Sequence, residues 1–129
     1  MRTLIAVLCL LPFAAQASEE PLQITANSPM AVAGTGLTLR LIALTDQRCP
    51  ADAECYWEGM VRAEILVTNG DRIPVIITLC NLCDGARGDA IVDGHTITLG
   101  RLSPSMEELA NLGRLAQLAD YRLAISVSP

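Results

Sequence analysis

Cysteine is the residue type here with the most chemistry to offer, and the chain has five: Cys9, Cys49, Cys55, Cys80 and Cys83. Cys80-Asn81-Leu82-Cys83 has the C-x-x-C spacing of redox-active thiol pairs and of half a zinc site. A redox pair of that kind follows a strand and opens a helix, whose N-terminus lowers the first thiol's pKa. A strand-like run does precede Cys80, but Asp84-Gly85-Ala86-Arg87-Gly88-Asp89 follows and reads as a loop. A zinc or copper site built from Cys49, Cys55, Cys80 and Cys83, with Met60, Met106 or His95 added, needs all four thiols reduced. Its spacing, C-x5-C and then C-x2-C, only half matches zinc patterns.

Four cysteines beyond Cys9 permit three pairings. Loop-closure entropy gives about 2.4 kcal/mol for joining Cys49 to Cys55 and about 3.5 kcal/mol for Cys55 to Cys80, a difference too small to choose between them. The preferred reading is local: Cys49 with Cys55 and Cys80 with Cys83, each a structural disulfide at the base of a loop. Thiol–disulfide exchange at Cys80–Cys83 and metal binding stay as alternatives. The shorter ring is expected to be the more reducible.

Other chemistry is sparse. His95 is the sole histidine and has no partner fixed by spacing. Asp46, Asp52, Glu54 and Glu58 flank the first cysteine pair and read as a solvated acidic rim. Asp84, Asp89 and Asp93 fail the calcium-loop pattern, and no nucleophile motif or phosphate loop occurs. The expectation is a non-enzyme without a cofactor. With 14 Asp and Glu against 9 Lys and Arg, a net charge of -5, the chain lacks the basic patch that nucleic acid or an anionic membrane requires. At 3% aromatic it also lacks a base-stacking platform.

The N-terminus reads as an address. Met1-Arg2 is a short basic start, Leu4 to Leu11 is apolar but too short to span a bilayer, and Pro12 ends the run. Ala15-Gln16-Ala17 places small residues where a signal peptidase cuts, before Ser18. Leu8 ahead of Cys9 excludes a lipoprotein signal. Residues 1–17 are thus expected to be a signal peptide and residues 18–129 a single disulfide-stapled β domain, periplasmic or secreted, with no membrane anchor after cleavage. Cleavage removes Cys9 and so accounts for the odd cysteine count; an oxidising compartment would let the other four pair.

Period-two alternation marks the strands. Leu37, Leu39, Leu41 and Ala43 share one face of a strand over 37–45. Trp57, Gly59, Val61, Ala63, Ile65 and Val67 share the core face of a longer one over 57–68. Asn69-Gly70 is a turn signal. A three-residue loop, Asn69 to Asp71, that pairs Val67 with Ile73 keeps the apolar faces in register. Pro74 lacks an N–H and suits an edge strand. Residues 90–92 and 95–102 form a hairpin about Asp93-Gly94, and Ser105 with Glu108 caps a short helix from Met106. Tyr121, Leu123, Ile125 and Val127 line a last strand. Together with a short strand near Leu22, this predicts an all-β fold: an antiparallel β-sandwich or barrel of about six to seven strands with one short helix near the C-terminus.

The run Asp46-Gln47-Arg48-Cys49-Pro50, four residues, then Cys55-Tyr56-Trp57-Glu58-Gly59 resembles the signature D-x-R-C-P-x4-C-x-W-x-G of a family of small, mostly uncharacterised exported bacterial proteins. The match rests on seven fixed positions in fourteen; a looser likeness covers 37–127. The resemblance implies a strand on either side of the motif and no activity. It gives Asp46, Arg48, Pro50, Trp57 and Gly59 structural roles, with Asp46 and Arg48 forming a local ion pair or capping backbone groups of the cysteine loop. Trp57, two residues beyond Cys55, reads as core packing. Cys80–Cys83 lies outside the signature. The expected function is a non-catalytic binding or interaction module for a protein or small ligand. Intact-mass analysis of exported protein should find a chain beginning at Ser18; a mature chain that retains residues 1–17 would contradict the leader assignment.

Overall fold

Apolar residues at every second position bury one face of each long strand, and two such faces close on one another. A computed structural model describes residues 21–56, 59–85 and 87–129; the expected leader and Trp57 lie outside the described residues. The strands are β1 (Leu22–Ile24), β2 (Met30–Ala31), β3 (Leu37–Arg48), β4 (Gly59–Asn69), β5 (Val75–Asn81), β6 (Asp89–Val92), β7 (His95–Ser103) and β8 (Arg122–Ser128). Helix α1 (Met106–Ala110) and a 3₁₀ turn at Leu118–Asp120 lie between β7 and β8. One sheet has the order β1-β8-β7-β6 and the other β2-β3-β4-β5, all neighbours antiparallel. The chain starts in the first sheet, builds the whole second sheet, and crosses back between β5 and β6. Neither sheet closes into a barrel, so the expected all-β architecture takes its sandwich form.

The core is aliphatic. Leu39, Leu41, Ala63, Ile65 and Leu79 from one sheet meet Ile24, Ile97, Leu123 and Ile125 from the other, all fully buried. Burying each of the larger side chains contributes about 1.5–3 kcal/mol. Among the described residues no charged or polar one is buried with them, and the core supplies cohesion. Among the described residues no helix is long and apolar enough to cross a membrane.

Several expectations hold. Gly59, Val61, Ala63, Ile65 and Val67 face inward. β5 is an edge strand, as Pro74 requires. Val92 pairs with His95 across a two-residue turn in which Asp93 and Gly94 have φ of 49° and 80°; both positive values are what such a turn needs. Ser105 caps α1, its side chain accepting from the Glu108 N–H at 3.2 Å.

Three expectations need correction. Val67 pairs with Val75 and not with Ile73. The connecting loop is longer because the Arg72 N–H turns back to the Asn69 carbonyl at 3.0 Å and Pro74 has no N–H for the ladder. Ile73 is left 87% exposed, while the inward face keeps its parity. Second, Asp46, Gln47 and Arg48, left beyond the end of the strand expected over 37–45, are strand residues opposite Val61, Met60 and Gly59. Third, Ala43 does not continue the face of Leu37, Leu39 and Leu41. A β-bulge shifts the register between Leu41 and Ala43, so Leu44, Asp46 and Arg48 lie opposite the inward-facing Ala63, Val61 and Gly59. Residues directly opposite in an antiparallel pair share a face, and the bulge therefore carries an acid and a base onto the inner side of the sheet's end.

Gly59 makes that end possible. Its φ is +89°, and a Cβ built there would fall on the Gln47 carbonyl oxygen and lie 2.5 Å from Arg48 Cα. Gly59→Ala should cost at least about 2 kcal/mol in urea unfolding. Gly88→Ala, whose Cβ would have its nearest neighbour at 3.7 Å, should stay within about 0.5 kcal/mol of the parent.

Candidate functional site

The three longest connections, 49–58 between β3 and β4, 82–88 between β5 and β6, and 104–121 between β7 and β8, leave the sandwich at one end. The pairings Arg48↔Gly59, Val61↔Asn81 and Ser103↔Arg122 mark that end. Shorter turns at 70–74 and 93–94 occupy the other end, where Asn69 and Arg72 of one sheet bond to Asp93 of the other at 2.9 and 2.8 Å. Recognition surfaces on sandwiches are built from long loops gathered on a rigid end.

Arg48 ties this end together. Its Nε donates to Asp46 Oδ1 at 2.8 Å and its Nη2 to Asp46 Oδ2 at 2.9 Å, a two-pronged ion pair. Nη1 then donates to the Leu102 carbonyl at 3.2 Å, near the end of β7 in the opposite sheet, and Nη2 to the Pro104 carbonyl at 2.8 Å, just beyond that end. The side chains of Arg48 and Asp46 are 19% and 8% exposed. The local ion pair implied by the resemblance is present, but Arg48 caps carbonyls across the sandwich and not those of the cysteine loop. Charge-assisted bonds of this kind are roughly twice as strong as neutral ones.

Burial pushes the Asp46 carboxyl up; the hydrogen bonds and charge of Arg48, with the Tyr121 hydroxyl, outweigh it and hold the group below the ordinary carboxylate range. Tyr121 is displaced upward by burial and by the Asp46 charge. The acidic rim therefore does not form as one cluster: Asp46 is sequestered, while Asp52 and Glu54 are exposed.

Cys49 and Cys55 are joined, with Cα atoms 5.9 Å apart, and close the loop beyond Arg48. Inside it the Ala53 N–H donates to the Pro50 carbonyl at 3.2 Å. Tyr56 projects fully into solvent, beside a shallow cavity of about 230 Å³ lined by Glu54, Cys55 and Tyr56. A second recess of about 130 Å³ lies between Ser103, Pro104, Glu108, Asp120 and Arg122. Asp120 accepts from both Arg114 nitrogens and from the Gln117 N–H, which hold it far below its ordinary pKa.

Cys80 and Cys83 are joined as well, Cα atoms 5.8 Å apart. The locally paired framework preferred from the sequence is the one present. The chain-entropy contribution of so short a loop is about 1.9 kcal/mol. His95 lies at the opposite end, beside Asp93, far along β7 from both cysteine pairs. Among the described residues no group of three or more His, Cys, Asp or Glu is placed to hold a metal. Sequence reasoning missed Tyr121 as a partner of Asp46 and the capped carbonyls of Leu102 and Pro104. Only the apolar doublet Ile42-Ala43, which breaks the alternation, could have signalled the bulge that aims Asp46 and Arg48 inward.

No protein-family model, no curated protein and no solved structure matches the chain. Its chemistry is read from its own geometry.

Because the folded-state pKa of Asp46 lies below its unfolded value, its stabilisation is present above about pH 4 and is lost as pH falls through the folded value. Asp46→Asn should lower the urea midpoint at pH 7. The gap to the parent should narrow steadily from pH 5 to pH 2, the shared contributions of Asp93 and Asp120 cancelling in the difference. A gap that does not change with pH would contradict the pairing.

Proposed function

We propose that the chain is an exported, non-catalytic binding module and that its recognition surface is the loop-bearing end of the sandwich. One observation carries this reading: Tyr56 stands fully exposed directly after Cys55, where a disulfide-closed ring rooted in the Asp46–Arg48 anchor ends. An exposed aromatic on a pre-organised loop binds with little ordering cost, and tyrosine supplies apolar area and a hydrogen-bonding tip together. The recess beside it is open and small, which suits a protein surface or a side chain more than an enclosed substrate.

Two features support export: the leader-like residues 1–17, and disulfides that persist in oxidising compartments. We also assign the chain to the family whose signature it resembles. Three of the seven signature positions support that assignment through the roles they take here: Asp46 and Arg48 as the anchor, and Gly59 as the residue that lets β4 approach Arg48.

Site-specific photo-crosslinking tests the surface. A benzophenone side chain in place of Tyr56, in protein exported by its native host, should give a discrete adduct. The same group in place of Ile91, 74% exposed on the edge strand β6, should give none. Equal labelling at both positions, or none at Tyr56, would overturn the assignment.

A further inference from the structure

We infer that Cys80–Cys83 is a thiol–disulfide exchange site that accepts electrons from a dithiol, a capacity separate from recognition at Tyr56. The bridge is not part of the core. Cys80 is 2% exposed, yet it is absent from the aliphatic cluster that includes its neighbour Leu79. Cys80 lies opposite Arg62 of β4, whose residue faces outward, so Cys80 is on the outer face of the second sheet. The β5–β6 crossing runs beside it, where the Cys80 N–H donates to the Arg87 carbonyl at 2.8 Å. The bridge therefore joins no two members of the aliphatic cluster.

The two sulfurs are unequal. Cys83 is half-buried and belongs to a connection in which Leu82, 62% exposed, has a φ of 57°, a left-handed conformation costly for a branched side chain. Opening the ring frees Leu82 to relax. Cys80 is covered, and Arg62 stands directly opposite it on β4. Glu64 faces the same way one pair further along, opposite Thr78. Arg87 is engaged with Asp89 at 2.9 Å, and Asp84 directly follows Cys83. Cys83 is therefore the sulfur an incoming thiolate can reach, and Arg62, directly opposite Cys80 on β4, is the cation on the side where the leaving thiolate forms. A shallow recess of about 310 Å³ lies across β3 and β4, lined by Ala43, Leu44, Thr45, Arg62 and Glu64, and shares Arg62 with this face.

The exchange follows from this difference in access. A thiolate of the dithiol attacks Cys83 Sγ; the Cys80–Cys83 bond breaks, and its electron pair leaves on Cys80 Sγ as a thiolate beside Arg62. The second thiol, deprotonated by solvent, attacks the donor's sulfur in the mixed disulfide and expels Cys83 as thiolate. The dithiol is oxidised to a disulfide, the protein pair is reduced to two thiols after proton uptake, and two electrons have moved. Among the described residues no helix follows the pair, so the chain acts as an acceptor in this step through the accessibility of Cys83 and not through a helix-activated nucleophile.

Anaerobic titration of the oxidised protein with dithiothreitol, read by alkylation and peptide mapping, tests the site, with Cys49–Cys55 as internal reference. Cys80–Cys83 should open at a dithiothreitol concentration at least tenfold lower than Cys49–Cys55 while the far-ultraviolet spectrum stays constant. Glutathione should be trapped on Cys83 and not on Cys80. Arg62→Ala should slow the opening several-fold without a change in melting temperature, and Arg62→Lys should restore it. Simultaneous or later opening of Cys80–Cys83, adducts on Cys80, loss of structure on opening, or an unchanged rate in Arg62→Ala would each overturn the assignment.

Discussion

One guanidinium decides how the two sheets meet at the loop-bearing end. Arg48 reaches Asp46 on its own strand and the Leu102 and Pro104 carbonyls of the other sheet. Those carbonyls stand where β7 ends and leaves the ladder, so their acceptors would otherwise need water. The arrangement requires Arg48 to point inward, which requires the bulge before Ala43, and it requires β4 to pass close to Arg48, which requires Gly59. A half-buried charge is tolerated because Asp46 neutralises it and the carbonyls take two of its three remaining N–H groups.

The consequences run outward from that point. The aliphatic core holds the sheets together along their length, but its residues are interchangeable within limits of volume. The Arg48 network is directional and fixes where the 49–58 and 104–121 connections depart. The Cys49–Cys55 closure extends this rigidity beyond the strand end, and Tyr56 is carried on it. At the far end Asn69, Arg72 and Asp93 make an exposed counterpart, weaker because solvent screens it.

Much of this was legible in the residues. The alternation of Val61, Ala63, Ile65 and Val67 specified β4 and its inward face, Asp93-Gly94 specified a two-residue turn, and Ser105 with Glu108 specified the helix start. Local pairing of the cysteines followed from their proximity. The misreadings share a cause, which is that period-two reasoning assumes an uninterrupted ladder. The bulge in β3 inverts the faces after Ile42, and the turn-forming composition of Asp46 to Pro50 concealed a strand held by β4 and by the Arg48 bonds. The loop before β5 lengthened because Arg72 found a backbone and a side-chain partner that sequence spacing does not reveal. Tyr121 was visible as an inward strand residue, yet its neighbour Asp46 is 75 positions away in the chain, beyond any local pattern.

Amide hydrogen exchange in Arg48→Met tests the claim that this side chain organises the loop-bearing end. The N–H groups of Ala53, Asp120 and Tyr121, each bonded within its own connection, report on that end, and the Arg72 N–H reports on the other. The account predicts that the first three exchange tenfold faster or more, about 1.4 kcal/mol of added local opening, with Arg72 unchanged. Uniform acceleration at both ends, or no acceleration at Ala53, Asp120 and Tyr121, would contradict it.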